Sequence, residues 1–415
     1  MTEDITVTES PSGIRVVTER MPEVRSVTIG CYVAVGGRDE PGELAGASHF
    51  LEHLLFKGTP TRSAHEIAEA VDARGGEMNA FTAREHTAFY TRLPSAELAF
   101  AVELLADVVS APAFRPEEIE SERQVILEEL ALSEDEPDER AHTLCMEALF
   151  PAHPLGREVL GTEDTVDAMT RDQIVGFHSR HYGPANLVVA AAGDIDHDAV
   201  VSAVVERFDG TAAAGHRRPR SAPTEPAVPM AALRRGTEQA HLTLGWRAFD
   251  HHDPDRYPLA VLNQVLGAGM SSRLFQEIRE RRGLAYSVYS YSALFSDAGA
   301  VMVYAGTAPA RLPEVRSRIE AEIARLVADG VSDHELAVAK GYLEGSLVLG
   351  LEDSGSRMAR LGSNLMSRGE VTPVDDHLVK IGAVTRDDVA RVVQRVLAGP
   401  ATVAAVGPLD ERDLA

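Results

Sequence analysis

The sequence is short of cysteine, of positive charge and of long apolar runs, and each shortage excludes a class of protein. The two cysteines, Cys31 and Cys145, allow one disulfide but no disulfide framework, and they lack the spacing of a metal site. The chain carries 64 acidic and only 40 basic side chains, and its net charge of −24 argues against a nucleic-acid-binding protein. No run approaches the ~18 apolar residues that span a bilayer.

The scarcity of cysteine also bears on the compartment, because a reducing environment does not maintain disulfides. Residues 1–10 are polar and acidic, unlike a signal or transit peptide. We therefore expect a cytoplasmic protein without a membrane span. This expectation supposes that no leader precedes the first methionine.

The most informative stretch is His49-Phe50-Leu51-Glu52-His53. At ~3.6 residues per helical turn, His49 and His53 lie one above the other, so both imidazoles can reach one metal ion. Two neutral imidazoles and an open position suit zinc, and Glu52 beside them can take a proton from zinc-bound water. This H-x-x-E-H order is the inverzincin signature. The alternative is a helix with two solvated or core histidines.

Zinc needs a third protein ligand, and the acidic segment from Pro116 to Leu130, predicted to be a helix, offers candidates. Glu122 and Glu129 are seven residues apart and share a helix face, whereas Glu128 is rotated from Glu129 by about 100°. We predict Glu129 as the zinc ligand. We predict Glu122 as a carboxylate that orients a ligand or carries a proton.

These motifs resemble those of the pitrilysin and mitochondrial-processing-peptidase family of metallopeptidases. The resemblance is carried by HFLEH at 49–53, Phe56-Lys57-Gly58-Thr59 just after it, and ERQVILEE at 122–129. The 76-residue separation between the second histidine and the distal glutamate also matches the family. The roles that the resemblance implies are zinc ligand for His49, His53 and Glu129, general base for Glu52, and assisting acid for Glu122.

Two further stretches resemble parts of the same family. In the second half, Arg279 and Tyr286 match an arginine and a tyrosine, seven residues apart, that reach the family's active site from its non-zinc half. Both can donate hydrogen bonds to a carbonyl oxygen that gains charge during attack on an amide. The alternative is an exposed arginine at a helix end and a core tyrosine.

In the first half, the segment from Gly76 to Thr82 resembles the family's substrate-side edge strand. An unpaired edge can accept an extended peptide as an added strand. Asn79 and Ala80 are the candidates for backbone contacts to substrate, and Phe81 is the third predicted substrate-binding residue. The alternative is an ordinary strand with a polar residue facing outward.

The chain also repeats itself at half its length. Thr170-Arg171-Asp172-Gln173 recurs 215 residues later as Thr385-Arg386-Asp387-Asp388, and the apolar run 186–193 recurs at 401–407. This period predicts two copies of one domain rather than a solenoid. Because each copy mixes helices with antiparallel-rich strands, the predicted fold class is α+β. The resemblance implies, within this class, the mitochondrial-processing-peptidase-like metallohydrolase fold.

A Pro-, Ala- and Arg-rich stretch between the copies predicts a linker at 213–236. The predicted domains are then 1–212, which holds every zinc ligand, and 237–415, a homologous domain without a zinc site. In the second copy, Gln264 and Ala268 stand where the histidines stand in the first. We therefore predict one zinc ion per chain.

The resulting functional prediction is a zinc endopeptidase that cleaves extended peptides or unfolded segments inside a closed chamber. The family's full chamber takes four such domains, so we expect a homodimer or a heterodimer with a zinc-less relative. The alternative is a non-catalytic or weakly catalytic peptide-binding or structural subunit of a heteromeric processing peptidase. Such subunits usually degrade H-x-x-E-H, which is complete here.

Overall fold

The computed structural model describes residues 3–208, 219–409 and 414, which fall into two compact units. Unit 1 is made of Met1–Leu130, Glu158–Pro219 and Val348–Pro373. Unit 2 is made of Ala131–Arg157, Arg220–Leu347 and Val374–Ala415.

The strands, numbered in chain order, are β1 (Ile5–Glu9), β2 (Arg15–Arg20), β3 (Ser26–Val33), β4 (Glu77–Thr82), β5 (Thr87–Pro94), β6 (Leu187–Gly193), β7 (Met230–Arg234), β8 (Ala240–Ala248), β9 (Ala285–Leu294), β10 (Gly299–Thr307) and β11 (Thr402–Gly407). The α-helices are α1 (Ala47–Leu55), α2 (Ala64–Asp72), α3 (Leu98–Ser110), α4 (Pro116–Asp135), α5 (Pro137–Leu149), α6 (Glu163–Ala168), α7 (Arg171–His181), α8 (His197–Phe208), α9 (Arg256–Asn263), α10 (Leu312–Asp329), α11 (Asp333–Gly350), α12 (Ser354–Arg368), α13 (Val374–Ala383) and α14 (Arg386–Val396).

Each unit is built on one mixed sheet. The first has the order β1-β2-β6-β3-β5-β4 and the second β7-β11-β8-β10-β9. One pair in each sheet is parallel, β2 with β6 and β7 with β11, and the other neighbours are antiparallel. Apart from β1, the two orders correspond strand for strand, and the recurring apolar runs β6 and β11 occupy equivalent places. The duplication predicted from the sequence is therefore present.

Both faces of the first sheet are covered by helices. On one face, α1 and α3 contribute Phe50, Leu54 and Leu105 to a large core together with Phe89 of β5. On the other face, α12 places Met358, Leu361 and Leu365 against Tyr32 of β3. Because its inner strands are buried on both sides, β6 is apolar along its whole length, as its sequence predicts.

The second sheet is covered in the same way. Residues of α5, including Cys145 and Leu149, pack on one face with Met302 of β10, and the core on the other face includes Leu262 of α9 and Val392 of α14. Cys145 and Cys31 are both free and buried, and burial raises the pKa of each thiol to about 12. The disulfide that the sequence left open is not formed.

The units differ from the predicted continuous domains, 1–212 and 237–415, in two exchanged segments. Residues 131–157 belong to unit 2 because α5 packs on β11 and β8. Residues 348–373 belong to unit 1 because α12 packs on β3 and β6, where its Arg357 and Arg360 pair with the fully buried Glu19 of β2. Composition does not reveal which sheet a helix covers, so this exchange could not be predicted from composition.

The predicted linker at 213–236 needs a correction at its C-terminal end. Residues 213–218 lie outside the described residues, but β7 lies within the predicted linker and pairs in parallel with β11. Strand β7 is only five residues long and follows a proline-rich segment, as an edge strand can. The composition of the whole segment therefore indicated a linker, although it contains this short apolar strand.

In the described residues, no helix has the length and apolar character needed to cross a membrane.

Candidate metal centre

Helix α1 carries the two histidines, and its N-terminus is fixed by a buried carboxylate. Glu40 accepts hydrogen bonds from the backbone N–H groups of Gly46 (2.8 Å) and Ser48 (2.6 Å). The first N–H groups of a helix have no partner within the helix, so the carboxylate satisfies them. Gly46 has a φ of 93°, and a Cβ there would lie 2.6 Å from the carbonyl oxygen of Leu160. Both the left-handed backbone and the close approach require glycine at this turn.

Helix α4 carries the two acids and is held by a buried arginine. The Arg123 guanidinium donates to the carbonyl oxygens of Val166 and of Met169, the latter at 2.8 Å. Its neighbour Glu122 is also buried, whereas Glu128 is exposed and Glu129 is partly exposed. The greater exposure of Glu128 is consistent with the rotation of about 100° that separates it from Glu129.

The structure brings His49, His53 and Glu129 together. The Nε2 atoms of His49 and His53 lie 3.5 Å and 3.4 Å from Glu129 Oε2. These distances are long for hydrogen bonds, but ligand atoms ~2.1 Å from a tetrahedral zinc ion stand about 3.4 Å apart. Two imidazoles and one carboxylate with an open fourth position are a donor set of catalytic zinc sites, so the residues fit the ion.

No second group of three histidine, cysteine or carboxylate ligands comes this close together anywhere in the described parts of the chain. In unit 2, Gln264 and Ala268, which stand where the histidines stand in the first copy, begin and end a π-helical turn that follows α9.

The surroundings of both imidazoles suit metal binding. Burial lowers the pKa of His49 to about 4, so this side chain is neutral near pH 7 and keeps a lone pair for a metal. His53 Nδ1 donates to Glu122 Oε2 at 3.1 Å, which fixes the proton on Nδ1 and leaves Nε2 bare. Lys57 Nζ lies 2.7 Å from the other oxygen of Glu122 and forms an ion pair with it.

Glu52 lies on the same helix with its own partner. Thr82 Oγ1, at the end of β4, donates to Glu52 Oε2 at 2.6 Å. Burial raises the pKa of Glu52, and the Thr82 hydrogen bond opposes that shift. A partly buried carboxylate with a raised pKa and a fixed rotamer is suited to general acid–base chemistry.

Sequence reasoning missed the roles of Lys57 and Thr82. Lys57 follows His53 by four residues, and that spacing could have suggested a side chain near the same helix face. Thr82 could have been found from the two-residue alternation of β4, which places Met78, Ala80 and Thr82 on one face.

Strand β4 holds the predicted substrate-binding residues and lies at the edge of the first sheet. Ala83 donates its backbone N–H to His86, so alternation along this antiparallel pair directs the backbone groups of Phe81 and Asn79 toward β5. The N–H and C=O of Ala80 then point to the free edge. In agreement, the Ala80 N–H is bound at 2.8 Å by the side-chain oxygen of Asn79.

This geometry distinguishes the two predicted backbone contacts. The backbone groups of Ala80 point toward an added strand, whereas those of Asn79 do not. The side-chain oxygen of Asn79 instead accepts the hydrogen bond of the Ala80 N–H, which an added strand would use. Phe81 is 38% exposed on the face that also carries Asn79.

Arg279 and Tyr286 meet each other in unit 2. Arg279 lies in a π-helical turn, Phe275–Glu280, and Tyr286 lies near the start of β9, the edge strand of the second sheet. The guanidinium carbon is 4.6 Å from the centroid of the tyrosine ring, a cation–π contact. Tyr286 is 79% exposed, so the alternative of a core tyrosine is wrong.

Two family models match the chain. Residues 15–163 match the model described as insulinase (peptidase family M16), and residues 168–343 match the model described as peptidase M16 inactive domain. The first match contains both histidines and both acids of the metal centre, and the second contains Arg279 and Tyr286.

Similar proteins are named uncharacterized zinc proteases. One from Streptomyces coelicolor is 45% identical over 98% of this chain and 90% of its own length. One from Mycobacterium tuberculosis is 46% identical over 97% of this chain and 92% of its own. One from Bacillus subtilis is 37% identical over 96% of this chain and 97% of its own.

Solved structures agree with the fold. A crystal structure of a peptidase M16 inactive domain from Pseudomonas fluorescens has a TM-score of 0.92 at 21% identity and covers 98% of both chains. A protease from Helicobacter pylori has a TM-score of 0.89 at 22% identity, covering 98% of this chain and 99% of its own. These likenesses confirm the predicted α+β architecture of two similar domains.

Proposed function

Because the chain belongs to peptidase family M16, the insulinase family, we propose that it is a zinc endopeptidase that hydrolyses extended peptides or unfolded segments. The observation that carries this proposal is the approach of the His49 and His53 Nε2 atoms to within 3.5 Å and 3.4 Å of Glu129. The two histidines and Glu129 would hold one zinc ion per chain. When bound, zinc supplies Lewis-acid chemistry toward water and a peptide carbonyl.

Glu52 performs the proton transfers. One oxygen of its carboxylate accepts a proton from the attacking water, and the same group then donates that proton to the nitrogen of the departing amine. Thr82 orients the carboxylate through its hydrogen bond to Oε2. Glu122 does not contact the metal site directly but orients His53 through the hydrogen bond to Nδ1, and Lys57 pairs with the other oxygen of Glu122.

The peptide adds as a strand to the free edge of β4. Edge addition provides main-chain hydrogen bonds that do not depend on sequence, which suits a peptidase acting on extended chains. The Asn79 side chain must leave the Ala80 N–H before a peptide carbonyl can replace it. Until then it caps an exposed edge donor and so limits unwanted strand pairing.

Arg279 and Tyr286 are the proposed contribution of unit 2 to the reaction. Their guanidinium and hydroxyl groups would donate hydrogen bonds to the developing oxyanion. A chamber of four such domains would then be completed by a homodimer or by a heterodimer with a zinc-less relative. The cytoplasmic location expected from the sequence stays a prediction.

Tyr286→Phe tests the proposed role of unit 2. We expect the variant to retain zinc and peptide affinity but to turn over roughly 10²–10³-fold more slowly, because only a hydrogen bond to the transition state is lost. Kinetics on a short peptide, with metal content measured in parallel, check this result. Tyr342→Phe is a matched control, since Tyr342 is another exposed tyrosine of unit 2, at 54%. An unchanged turnover number for Tyr286→Phe would assign catalysis to unit 1 alone.

Metal removal tests the proposed function itself. Incubation with a chelator should abolish cleavage of a peptide library, and stoichiometric zinc should restore it. The reason is that the proposed reaction has no route to hydrolysis without the metal ion held by both histidines and Glu129. Mass spectrometry of the products measures both steps. Cleavage that survives complete zinc removal would contradict the proposal. Failure of the zinc-loaded chain to cleave any peptide would instead favour the peptide-binding subunit.

A further inference from the structure

A hollow of about 350 Å³ lies beside the edge strand, between the first sheet and the start of α12. Its wall on the edge strand is formed by Glu77 and Phe81, and Tyr90 of β5 lies behind them. On the helix side, the hollow is lined by short residues that include Ser356. Its volume is at the lower end of the ~300–1,000 Å³ typical of small-molecule pockets, and it can hold one large side chain.

The strand register shows which residues of the sheet face α12. Asn79, Tyr90 and Gly30 are directly opposite one another on β4, β5 and β3, so they form one row across the α12 face. Gly30 has no side chain, and a Cβ at that position would lie 2.7 Å from Met358 Sδ. Met358 therefore packs closely on Gly30, and the hollow lies beside it, with Met358 and Tyr90 both in its lining.

The alternation of β4 connects this hollow with the proposed peptide-binding edge. Met78, Ala80 and Thr82 lie on the α1 face, where Thr82 bonds Glu52. Glu77 and Phe81 lie on the opposite face. Directly opposite residues of antiparallel strands share a face, so a peptide added to β4 would direct every second side chain toward the hollow.

The chemistry of the lining favours an uncharged occupant. Arg92 Nη1 lies 3.2 Å from Asp353 Oδ1 and 3.8 Å from Glu77 Oε1, so the charges at the rim already pair with one another. An acidic side chain would meet two carboxylates and one guanidinium there, and a basic side chain would compete with Arg92 for the same carboxylates. Tyr90 and Phe81 are partly exposed and offer apolar surface that an aromatic or large aliphatic side chain can cover.

We propose that the hollow between β4, β5 and α12 is a specificity subsite that takes an aromatic or large aliphatic side chain of the peptide substrate. The subsite lies on the face of the sheet opposite Glu52, so the side chain that it takes belongs to one of the alternate residues of the bound peptide that face this side. The inference rests on the proposed function, because it requires the peptide to add at the β4 edge.

The test uses the zinc-loaded full chain and a peptide whose scissile bond has been located by mass spectrometry. Each position is occupied in turn by Phe or Ala, and the ratio of kcat/KM values gives the preference at that position. We expect a preference for Phe of about tenfold, as partial burial of an aromatic ring would provide, at one or more positions of the same parity. Anchoring each position to the cleaved bond removes ambiguity in the register.

Ser356→Trp fills the hollow from an exposed position at the start of α12, and Ser367→Trp adds the same side chain at an exposed position near the end of that helix. We expect Ser356→Trp to abolish the Phe preference at those positions while cleavage of the all-Ala peptide continues, which also shows that the variant folds. Ser367→Trp should preserve the preference.

Two outcomes overturn the inference, and they are distinguishable. A Phe preference without alternation, or one that Ser356→Trp leaves intact, overturns the subsite while the peptidase activity stands. If the wild-type chain cleaves none of the peptides, the proposed function fails and the subsite fails with it.

Discussion

Glu52→Gln is expected to lower the rate of peptide cleavage by at least ~10²-fold while the chain keeps its zinc and its fold. Glutamine has nearly the shape of glutamate, and its carbonyl oxygen can still accept the hydrogen bond from Thr82 Oγ1 that Glu52 Oε2 accepts. What it cannot do is accept a proton from the attacking water. The loss should therefore appear in turnover and not in metal content or thermal stability.

The measurement combines peptide kinetics with metal analysis and thermal unfolding of the same preparation. Glu69→Gln provides a matched control, because Glu69 is an exposed carboxylate on α2, and we expect it to behave like the wild-type chain. Activity near that of wild type in a zinc-loaded Glu52→Gln preparation would exclude Glu52 as the base. A preparation that had lost zinc would show that Glu52 supports the metal centre instead.

The parts of this site that the sequence predicts correctly depend on local geometry. The spacing of His49 and His53 on one helix face, and the rotation that separates Glu128 from Glu129, follow from ~3.6 residues per turn. Helix α1 spans Ala47–Leu55 and so contains the whole H-x-x-E-H stretch, as predicted. Predictions of which residues share a helix face require only that the helix forms. The glycine and turn residues on either side of α1 indicate where this helix begins and ends.

Contacts between segments that are distant in the chain could not be predicted from local geometry. The hydrogen bond from Thr82 to Glu52 joins residues 30 positions apart, and it exists only because β4 presents its even-numbered face to α1. The sequence predicts β4 but not which of its faces meets the helix. The pairing of β7 with β11 likewise joins segments that are far apart in the chain. Period and composition carry no information about such pairings.

The exchange of helices between the two units also depends on contacts between distant segments. A helix with one apolar face needs a partner surface, but its sequence does not specify which surface. In α12, Met358, Leu361 and Leu365 could cover either sheet, whereas the pairing of Arg357 and Arg360 with the buried Glu19 is specific to the first. The subsite inferred beside α12 depends on this exchange, so it could not have been predicted from the chain alone.

Glu129→Gln is expected to weaken zinc binding by at least ~10²-fold, beyond the 10–100-fold that loss of an outer partner of a ligand costs. A neutral amide is a poor replacement for a carboxylate ligand, and the two imidazoles alone leave the ion under-coordinated. Peptide cleavage at limiting zinc should fall in parallel. Glu128→Gln should leave both quantities nearly unchanged, because Glu128 is exposed on α4 and Glu129 Oε2 is the oxygen near both Nε2 atoms.

The two variants form a matched pair, since they make the same chemical change at adjacent positions of one helix. Competition with a zinc-specific dye measures the affinities, and the midpoint of thermal unfolding without metal checks that both chains fold. Equal zinc affinities would mean that the ligand comes from elsewhere. A loss confined to Glu128→Gln would mean that the rotation of α4 is wrong, and with it the placement of Glu122 beside His53, because both acids are positioned by the same helix.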